Sequence, residues 1–307
     1  MIVISDYDQF RMDPHEKVSC AFGYFDGLHL GHMKVLSAAM VPGMKSAVMT
    51  FTNRPMNYVE GTRQEGARLM TNEEKIDLLG KMGFDYLFMF EFNEQIMNTS
   101  KEDFIRDFMC RFGIRRAVCG SDYTFGRGRE GNSSNIGELC APYGIEVEIV
   151  DDVYFLDCLI SSTDIRNAVR SGDVISARQM LGRFYSISGT IVEGRHIGHR
   201  MGFATANIVP APFLLVPRSG VYLTRCTLEG EKKYYSVSNI GTNPTVTDSS
   251  DVVLESHLFD CEEDLYGRSM KVEFLVRLRS EMRFSSMEEL AEQISRDIGI
   301  AKDFYEI

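Results

Sequence analysis

The sequence predicts an α/β domain, in which helices cover both faces of a parallel sheet, followed by a small antiparallel β-barrel or sandwich with a C-terminal helix. Three observations predict this organisation. The 307 residues are enough for two domains of about 150 residues each. Before Gly182, short apolar runs alternate with helical patterns, and after it almost every periodic segment is strand-like. We therefore place the two domains at 1–182 and 183–307.

The N-terminal part alternates strands with helices, which is typical of a parallel sheet. Thr71 and Glu74 form a capping-box pattern that marks the start of one helix. Near the end of this part, the Ser-Gly-Asp sequence at 171–173 divides a helical pattern over 164–181 into two short helices. The segments before them are strand 18–22, helix 31–39, strand 46–51, helix 71–82, strand 85–90, helix 101–112, strand 116–119 and strand 145–150.

The C-terminal part lacks this alternation and is typical of strands joined by turns that contain Gly, Asp and Lys. A closing helix is predicted over 286–306. The strand-like segments that precede it are 185–192, 220–227, 234–238, 252–259 and 270–278.

The composition argues against several classes of protein. Lys and Arg number 33 and Asp and Glu number 44, so the net charge is −11, which disfavours nonspecific binding of nucleic acid or of an anionic membrane. The apolar run 208–216 contains two prolines and is far shorter than the ~20 residues that span a bilayer. The N-terminus lacks the basic region of a signal peptide. We therefore expect a cytoplasmic protein, a monomer or weak oligomer, with small-molecule partners and neither nucleic-acid nor membrane partners.

The cysteines point to the same compartment. The seven cysteines are widely spaced and include no C-x-x-C pair. This pattern is typical of reduced cytosolic thiols rather than of a disulfide framework or a zinc site.

The first candidate site is the segment 23–32, Gly-Tyr-Phe-Asp-Gly-Leu-His-Leu-Gly-His, between a predicted strand and a predicted helix. The start of a helix gathers backbone N–H groups and the positive end of the helix dipole, which favours an anion. His29 and His32 add imidazoles that can donate to phosphate oxygens, and Gly31 lets the backbone approach a phosphate closely. The alternative is a pair of half-buried histidines on a turn.

This segment resembles the HxGH superfamily of nucleotidyltransferases and, more narrowly, the N-terminal module of the bacterial bifunctional riboflavin kinase/FAD synthetases. The segments 160–166, Ile-Ser-Ser-Thr-Asp-Ile-Arg, and 120–126, Gly-Ser-Asp-Tyr-Thr-Phe-Gly, are similar to that family's ISSTxIR and GxDFxFG motifs. The resemblance implies a Rossmann-like nucleotidyltransferase domain that adenylylates FMN to FAD with ATP and releases pyrophosphate. It assigns catalytic contacts to His29, His32 and Arg166. The residues that it implies for ATP and phosphate binding are Gly23, Phe25, Asp26, Gly31, Ser161, Ser162 and Thr163, and those for flavin binding are Asn53, Asp122 and Phe125.

The implied adenylyl transfer needs no general base. The phosphate of FMN is already ionised at pH 7, so its attack on the α-phosphorus of ATP requires positioning and charge stabilisation only. Two positions depart from the family pattern: Tyr24 stands where the family usually has Asn, and Arg54 where it usually has His. These departures leave open a module whose adenylyl transfer is lost or narrowed.

The second candidate site lies in the segment 194–207, GRHIGHRMGFATAN. Thr205 and Asn207 are two residues apart, so in an extended chain both side chains point to one side. Their oxygens are hard ligands that suit Mg²⁺ bound together with water and ATP phosphates. Glycines that can offer backbone N–H groups to phosphates precede them, and a hairpin without a ligand is the alternative. These glycines are Gly194, Gly198 and Gly202.

This segment resembles the riboflavin kinase signature G-x-x-x-G-R-x-x-G-F-P-T-A-N, with His199 and Ala204 in place of the usual Arg and Pro. The segment 254–260, Leu-Glu-Ser-His-Leu-Phe-Asp, resembles the family's E-x-H-x-x-D strand. The resemblance implies a small antiparallel β-barrel that phosphorylates riboflavin to FMN with Mg²⁺ and ATP. It makes Glu255 the base for the riboflavin hydroxyl, where the alternative is a solvated strand residue. The resemblance also implies that Arg279 contacts the flavin or the nucleotide. The alternative is that Arg279 is a surface residue without a ligand.

The resemblance extends from about residue 18 to residue 297, with the motifs in the family's order. It implies a bifunctional enzyme whose substrates and products are riboflavin, FMN and FAD. Two alternatives stay open. One is a riboflavin kinase with a degenerate or narrowed adenylyltransferase module, and the other is a noncatalytic flavin-binding regulatory protein.

Overall fold

A computed structural model of the chain describes residues 1–6, 10–55, 68–192, 204–228, 232–242, 252–261, 263, 265–282 and 284–305. The chain divides into two compact units. The first unit comprises Met1–Gln64 and Met70–Ser162, and the second comprises Glu65–Leu69 and Thr163–Ile307. The helices that follow residue 162 therefore group with the second unit, and the domain boundary at 182 stays a prediction.

The first unit is built on a six-stranded parallel sheet of the order β1-β4-β3-β2-β5-β8. The central strand β2 is buried along its whole length, which explains its continuous apolar sequence. The short strand β1 pairs with β4 and was not predicted. The strands of this sheet are β1 (Ile2–Ile4), β2 (Val18–Phe22), β3 (Lys45–Phe51), β4 (Tyr86–Phe90), β5 (Ile114–Gly120) and β8 (Glu146–Val150). Two short ribbons lie outside the sheet, β6 (Thr124–Phe125) with β7 (Gly131–Asn132) and β9 (Tyr154–Phe155) with β10 (Cys158–Leu159).

Helices pack on both faces of this sheet, as predicted. One face carries a cluster that joins Val48 and Leu87 to residues of the helices α1 and α2, and the other joins Cys20 and Phe88 to a phenylalanine-rich helical segment. The helices of this unit are α1 (Leu30–Ala38), α2 (Asn72–Met82), α3 (Glu94–Asn98), α4 (Lys101–Phe104) and α5 (Ile136–Cys140).

The local signals for these helices are confirmed, with one difference. Thr71 caps α2, and Glu74 reaches back to the cap in a complete capping box. The helix predicted over 101–112 begins after its cap Ser100 but continues from α4 as a π-helix over Ile105–Cys110. The wider turns still bury Ile105, Phe108 and Met109 among their own residues, so the apolar pattern alone did not reveal them.

The second unit contains a closed six-stranded antiparallel barrel of the order β11-β12-β15-β14-β13-β16, so the barrel alternative is confirmed. Two helices precede it, and they meet at Gly172, whose φ of 84° ends the first of them, as the Ser-Gly-Asp break predicts. The elements of this unit are α6 (Ser162–Ser171), α7 (Val174–Leu181), β11 (Ser186–Val192), β12 (Ala204–Ile208), β13 (Gly220–Leu228), β14 (Lys233–Thr242), β15 (Val252–Leu258), β16 (Ser269–Arg279) and α8 (Met287–Tyr305).

The interior of the barrel holds a chain of buried hydroxyl groups. The hydroxyl of Thr224 lies 2.6 Å from that of Ser236 and 2.6 Å from that of Ser238. The hydroxyl of Ser238 lies 2.7 Å from that of Ser256 on the next strand. All four side chains are fully buried, and their mutual hydrogen bonds satisfy polar groups that would otherwise be costly inside the barrel.

One surface carboxylate of this unit has a strongly shifted pKa. Hydrogen bonds from Lys232, Tyr234 and Arg268 lower the pKa of Glu263 from 4.5 to about 2.

Within the described part of the chain, none of the helices is both long enough and apolar enough to span a bilayer.

Candidate functional site

The two histidines of the first candidate site lie together at the N-terminus of α1. His29 is the N-cap, and its Nδ1 accepts a hydrogen bond of 3.3 Å from the backbone N–H of His32. The two imidazole rings stack with centroids 3.5 Å apart, and His29 is only 5% exposed. The rings and the first backbone N–H groups of the helix therefore lie at one end of α1, where an anion is stabilised.

Gly31 leaves room for this stack. A Cβ at this position would lie 3.2 Å from Nδ1 and Cε1 of His29 and 3.8 Å from the carbonyl oxygen of Ile160. The carbonyl of Ile160, the first residue of the second predicted motif, therefore lies close to Gly31 of the first. The space beside Gly31, where a Cβ would lie, is therefore occupied by the ring of His29. The predicted close approach of the Gly31 backbone to a phosphate stays a prediction.

A hydrogen bond joins the two motifs directly. The hydroxyl of Ser162 donates to the carbonyl oxygen of Asp26 at 2.9 Å, across 136 positions of sequence. Asp26 is buried, and Ser161, the residue before Ser162, is half-buried. The resemblance predicted that these segments share a site, and their direct contact supports this interpretation.

The other two predicted site residues of the second motif, Thr163 and Arg166, lie on α6, which begins at Ser162. Thr163 is exposed, whereas Arg166 is only 6% exposed and lies one turn further along the helix. A guanidinium that is buried to this extent requires anionic or carbonyl partners.

The loop between β2 and α1 adopts an unusual backbone. Phe25 and Leu28 have φ values of 54° and 42°, in the left-handed region that favours glycine, and both are buried. The ring of Phe25 contacts His32 edge-on at 5.3 Å and folds back over Gly23, where a Cβ would lie 2.8 Å from it. Gly23 and Phe25 therefore shape the histidine site, and their predicted contact with phosphate stays a prediction.

The residues predicted to bind flavin have different surroundings. Both ends of the Asn53 amide bond the backbone of Phe92, with Nδ2 donating at 2.9 Å and Oδ1 accepting at 2.7 Å. Phe125 is buried in the core against Phe104, at 5.3 Å between ring centroids. Asp122 is exposed. Asn53 and Phe125 thus stabilise the fold, and flavin contact by the three residues stays a prediction.

Lys75 lies near this site and is not among the predicted site residues. It is 1% exposed, and its Nζ donates to the carbonyl oxygen of Tyr24 at 2.7 Å and to Oγ1 of Thr50 at 3.4 Å. The ammonium also lies 4.5 Å from the centre of the Tyr24 ring. A signal was present in the sequence, because Lys75 shares the buried face of α2 with Leu79, four residues later.

The second candidate site is a row of polar side chains across three barrel strands. Thr205 pairs with His257, and Asn207 pairs with Glu255 between β12 and β15. Glu255 also pairs with Asn239 on β14. The alternate residues on these strands carry the hydroxyl groups inside the barrel, so this row belongs to the outer face. The predicted extended geometry of Thr205 and Asn207 is confirmed, and Glu255 lies opposite Asn207.

A hydrogen bond fixes one side of this row. Oγ1 of Thr205 lies 3.3 Å from Nδ1 of His257, which is 7% exposed. Burial lowers the pKa of His257, and the negative charge of Glu255 opposes this shift only in part. The imidazole is therefore neutral at pH 7 and orients the Thr205 hydroxyl.

Arg279 is occupied by an ion pair. Its guanidinium donates to both carboxylate oxygens of Asp297 on α8, at distances of 2.7 to 3.1 Å, and Asp297 is 1% exposed. This bidentate pair ties β16 to α8, so a flavin or nucleotide contact by Arg279 stays a prediction. The three glycines of the predicted phosphate loop, Gly194, Gly198 and Gly202, lie outside the described residues.

Burial argues against a nucleophilic role for three of the cysteines. All seven are free thiols. Burial raises the pKa of Cys20 and Cys226, and it raises that of Cys119 to about 12. These groups therefore stay protonated at pH 7.

Comparison with known proteins finds similarity along both parts of the chain. A family model described as FAD synthetase matches residues 11–164, and one described as riboflavin kinase matches residues 181–305. The bifunctional riboflavin kinase/FMN adenylyltransferase of Bacillus subtilis is 36% identical over 285 residues, which are 90% of this chain and 89% of that protein. The protein of the same name from Escherichia coli K12 is 34% identical over 310 residues, covering 99% and 98% of the two chains. A crystal structure from Streptococcus pneumoniae, named a macrolide-efflux protein, matches with a TM-score of 0.86 at 26% identity and covers 98% of both chains.

Proposed function

The chain belongs to the bifunctional riboflavin kinase/FMN adenylyltransferase family, and we infer that it phosphorylates riboflavin to FMN and then adenylylates FMN to FAD. The observation that carries this inference is that both family models match, in order, with a separate polar site in each matched part. ATP is the proposed donor in both reactions.

In the N-terminal reaction, an oxygen of the FMN phosphate attacks the α-phosphorus of ATP, and the bond to the bridging oxygen breaks to release pyrophosphate. His29, His32 and the first N–H groups of α1 stabilise the negative charge that builds up on the α-phosphoryl oxygens. Ser161, Ser162 and Arg166 hold the β- and γ-phosphates. The contact between Ser162 and Asp26 supports this assignment because it brings the second motif to the histidine loop.

In the C-terminal reaction, the terminal hydroxyl of riboflavin attacks the γ-phosphorus of ATP, and ADP leaves. Glu255 orients this hydroxyl and accepts its proton as the new O–P bond forms. Asn207 lies directly opposite Glu255, so the nucleotide and the hydroxyl are held on one face of the barrel.

The residues beside Glu255 fit Mg²⁺. Thr205 supplies a hydroxyl and Asn207 an amide oxygen on the same face of β12, and both are hard oxygen donors. When bound with ATP, Mg²⁺ would neutralise charge on the transferred phosphoryl group. His257 keeps the Thr205 hydroxyl oriented for this purpose.

The protein has a net charge of −11 and free thiols. We therefore propose the cytoplasm as its compartment and small molecules, rather than nucleic acids, as its partners.

One assay separates this function from its alternatives. The pure protein is incubated with riboflavin, ATP and Mg²⁺, and the flavins are separated by chromatography. We expect FMN first and FAD after it. Accumulation of FMN without FAD would indicate a kinase with a degenerate N-terminal module, and the absence of both products would indicate a flavin-binding protein.

Two variants test whether the reactions use separate sites. Glu255→Gln should abolish FMN formation from riboflavin while FMN supplied directly is still converted to FAD. His29→Ala should abolish FAD formation while FMN is still made. Glu292→Gln, on the exposed side of α8, is the matched control and should leave both rates unchanged. Loss of both activities in either folded site variant would contradict the assignment.

A further inference from the structure

Lys75 is buried beneath the loop that leads to the histidines. Its stem begins on α2, and its ammonium reaches across to the carbonyl oxygen of Tyr24, at 2.7 Å. Oγ1 of Thr50, at the end of β3, donates to the same carbonyl at 2.9 Å and lies 3.4 Å from the ammonium. A charged group that is 1% exposed is costly to bury, so its place under this loop calls for a reason.

The loop above Lys75 is strained. Phe25 and Leu28 hold left-handed backbone conformations that cost non-glycine residues about 1 kcal/mol or more each. Such conformations persist only where the surroundings impose them. Here the two carbonyls at the start of the loop are anchored from outside it, that of Tyr24 by Lys75 and that of Asp26 by Ser162.

We propose that Lys75 is a positioning residue for adenylyl transfer, because it binds the Tyr24 carbonyl and thereby fixes the loop that carries Phe25 against His32. This proposal rests on the adenylyltransferase function proposed above. The carbonyl oxygen of Tyr24, which would repel a phosphate, is instead occupied by the hydrogen bonds from Lys75 and Thr50. The ring of Phe25, the next residue, lies edge-on against His32 at 5.3 Å, so a displaced loop also displaces the catalytic imidazole.

The test variant is Lys75→Met, which keeps the length of the side chain and removes its hydrogen bonds and charge. We expect kcat for the conversion of supplied FMN to FAD to fall about 100-fold, the loss that follows from misplacing reacting groups by about 1 Å. The KM values for FMN and ATP should change little, because the effect falls on the transition state. Lys75→Arg keeps a donor and a charge, and should recover a large part of the lost rate.

A stability control separates positioning from simple unfolding. Leu79→Ala truncates a fully buried side chain one turn away on the same helix, and this side chain, being apolar, makes no hydrogen bond to the Tyr24 carbonyl. Both variants are assayed well below their measured unfolding temperatures, and the formation of FMN from riboflavin is measured in the same samples. We expect Leu79→Ala to keep its FAD formation and both variants to keep their FMN formation.

The outcomes are distinct. Loss of FAD formation in Lys75→Met, with retention in Leu79→Ala and partial recovery in Lys75→Arg, supports the proposal. It is overturned if Lys75→Met stays within about threefold of the wild-type rate, or if Leu79→Ala loses as much. If the wild-type protein makes no FAD, the proposed function itself has failed, and this result is distinguishable from failure of the proposal. If Lys75→Met does not fold, Thr50→Val, which removes the second bond to Tyr24, should lower kcat for FAD formation, and an unchanged kcat would overturn the proposal.

Discussion

Replacement of Gly31 by alanine should lower FAD formation and leave FMN formation unchanged. The added Cβ would lie 3.2 Å from two atoms of the His29 ring, closer than the 3.4 Å at which ordinary contact begins. The ring must therefore move by a few tenths of an ångström. Since misplacement of a catalytic group by 1 Å costs about 100-fold, we expect a loss of about tenfold in kcat for FAD formation.

The stability of the Gly31→Ala variant should change little, because two effects oppose each other. Alanine stabilises a helix by about 1 kcal/mol relative to glycine. Displacement of His29 weakens its 3.3 Å cap of the His32 N–H, and loss of a cap costs about 1 kcal/mol. The free energy of unfolding of the first unit should therefore stay within about 1 kcal/mol of the wild-type value.

Gly137→Ala is the matched control. Gly137 is also the second residue of a helix in the first unit, but apart from its chain neighbours and the backbone of its own helix nothing lies within 4 Å of the added Cβ. Both variants are assayed with supplied FMN and, separately, with riboflavin, and their stability is measured by urea unfolding. Full FAD formation in Gly31→Ala would refute the assignment of His29, whereas a loss in Gly137→Ala would show that the assay responds to helix substitutions in general.

Three further predictions concern other contacts. Ser162→Ala removes the bond to the Asp26 carbonyl, so FAD formation should fall and the first unit should lose about 1 kcal/mol, measured by steady-state kinetics and urea unfolding. Gly131→Ala places a Cβ 2.5 Å from the Phe125 ring, and this overpacking should cost about 1–3 kcal/mol of unfolding free energy. Because the pKa of Glu263 is lowered to about 2, its carboxylate stabilises the fold above the unfolded-state value near 4.5, and this contribution is lost as the pH falls towards 2. The stability difference between wild type and Glu263→Gln should therefore shrink over that interval, as followed by unfolding at each pH.

Each of these three predictions has a result that would contradict it. Unchanged FAD formation in Ser162→Ala would show that the contact between the motifs is not needed for the reaction. A Gly131→Ala protein as stable as Gly137→Ala would mean that Phe125 moves aside at no cost. A stability difference for Glu263→Gln that is constant from pH 5 to pH 2 would rule out a shifted carboxylate as its cause.

Much of the fold could be predicted because its signals are local. The capping box of Thr71 and Glu74 and the break at 171–173 are hydrogen-bonding and backbone preferences that act within a few residues. The short strand β1 was missed because its three residues carry no period, and its place depends on pairing with β4. Closure into a barrel rather than a sandwich likewise depends on pairing between β11 and β16, which are distant in sequence.

Candidate site residues were predicted only where a motif marked them, and their roles stay predictions. His29, Ser162 and Glu255 were selected from their motifs, and the segments of the first two are joined by the hydrogen bond between Ser162 and Asp26. Lys75 was missed because a lysine on a helix is usually solvated, and its burial depends on a carbonyl 51 positions earlier. For Asn53 the pattern did not reveal that both ends of its amide are used by the backbone of Phe92.

The buried hydroxyl chain of the barrel has a consequence for folding accuracy. Because strand side chains alternate, a slip of β15 by one residue would turn Ser256 outward and Glu255 into the interior. Such a slip would break the bond between Ser238 and Ser256, and it would bury a carboxylate at a cost of several kcal/mol. Misregistered barrels are therefore rare among folded molecules. The hydrogen bonds inside the barrel therefore favour the native register. A chain with a stable barrel also has Thr205, Asn207 and Glu255 in their native positions on the outer face.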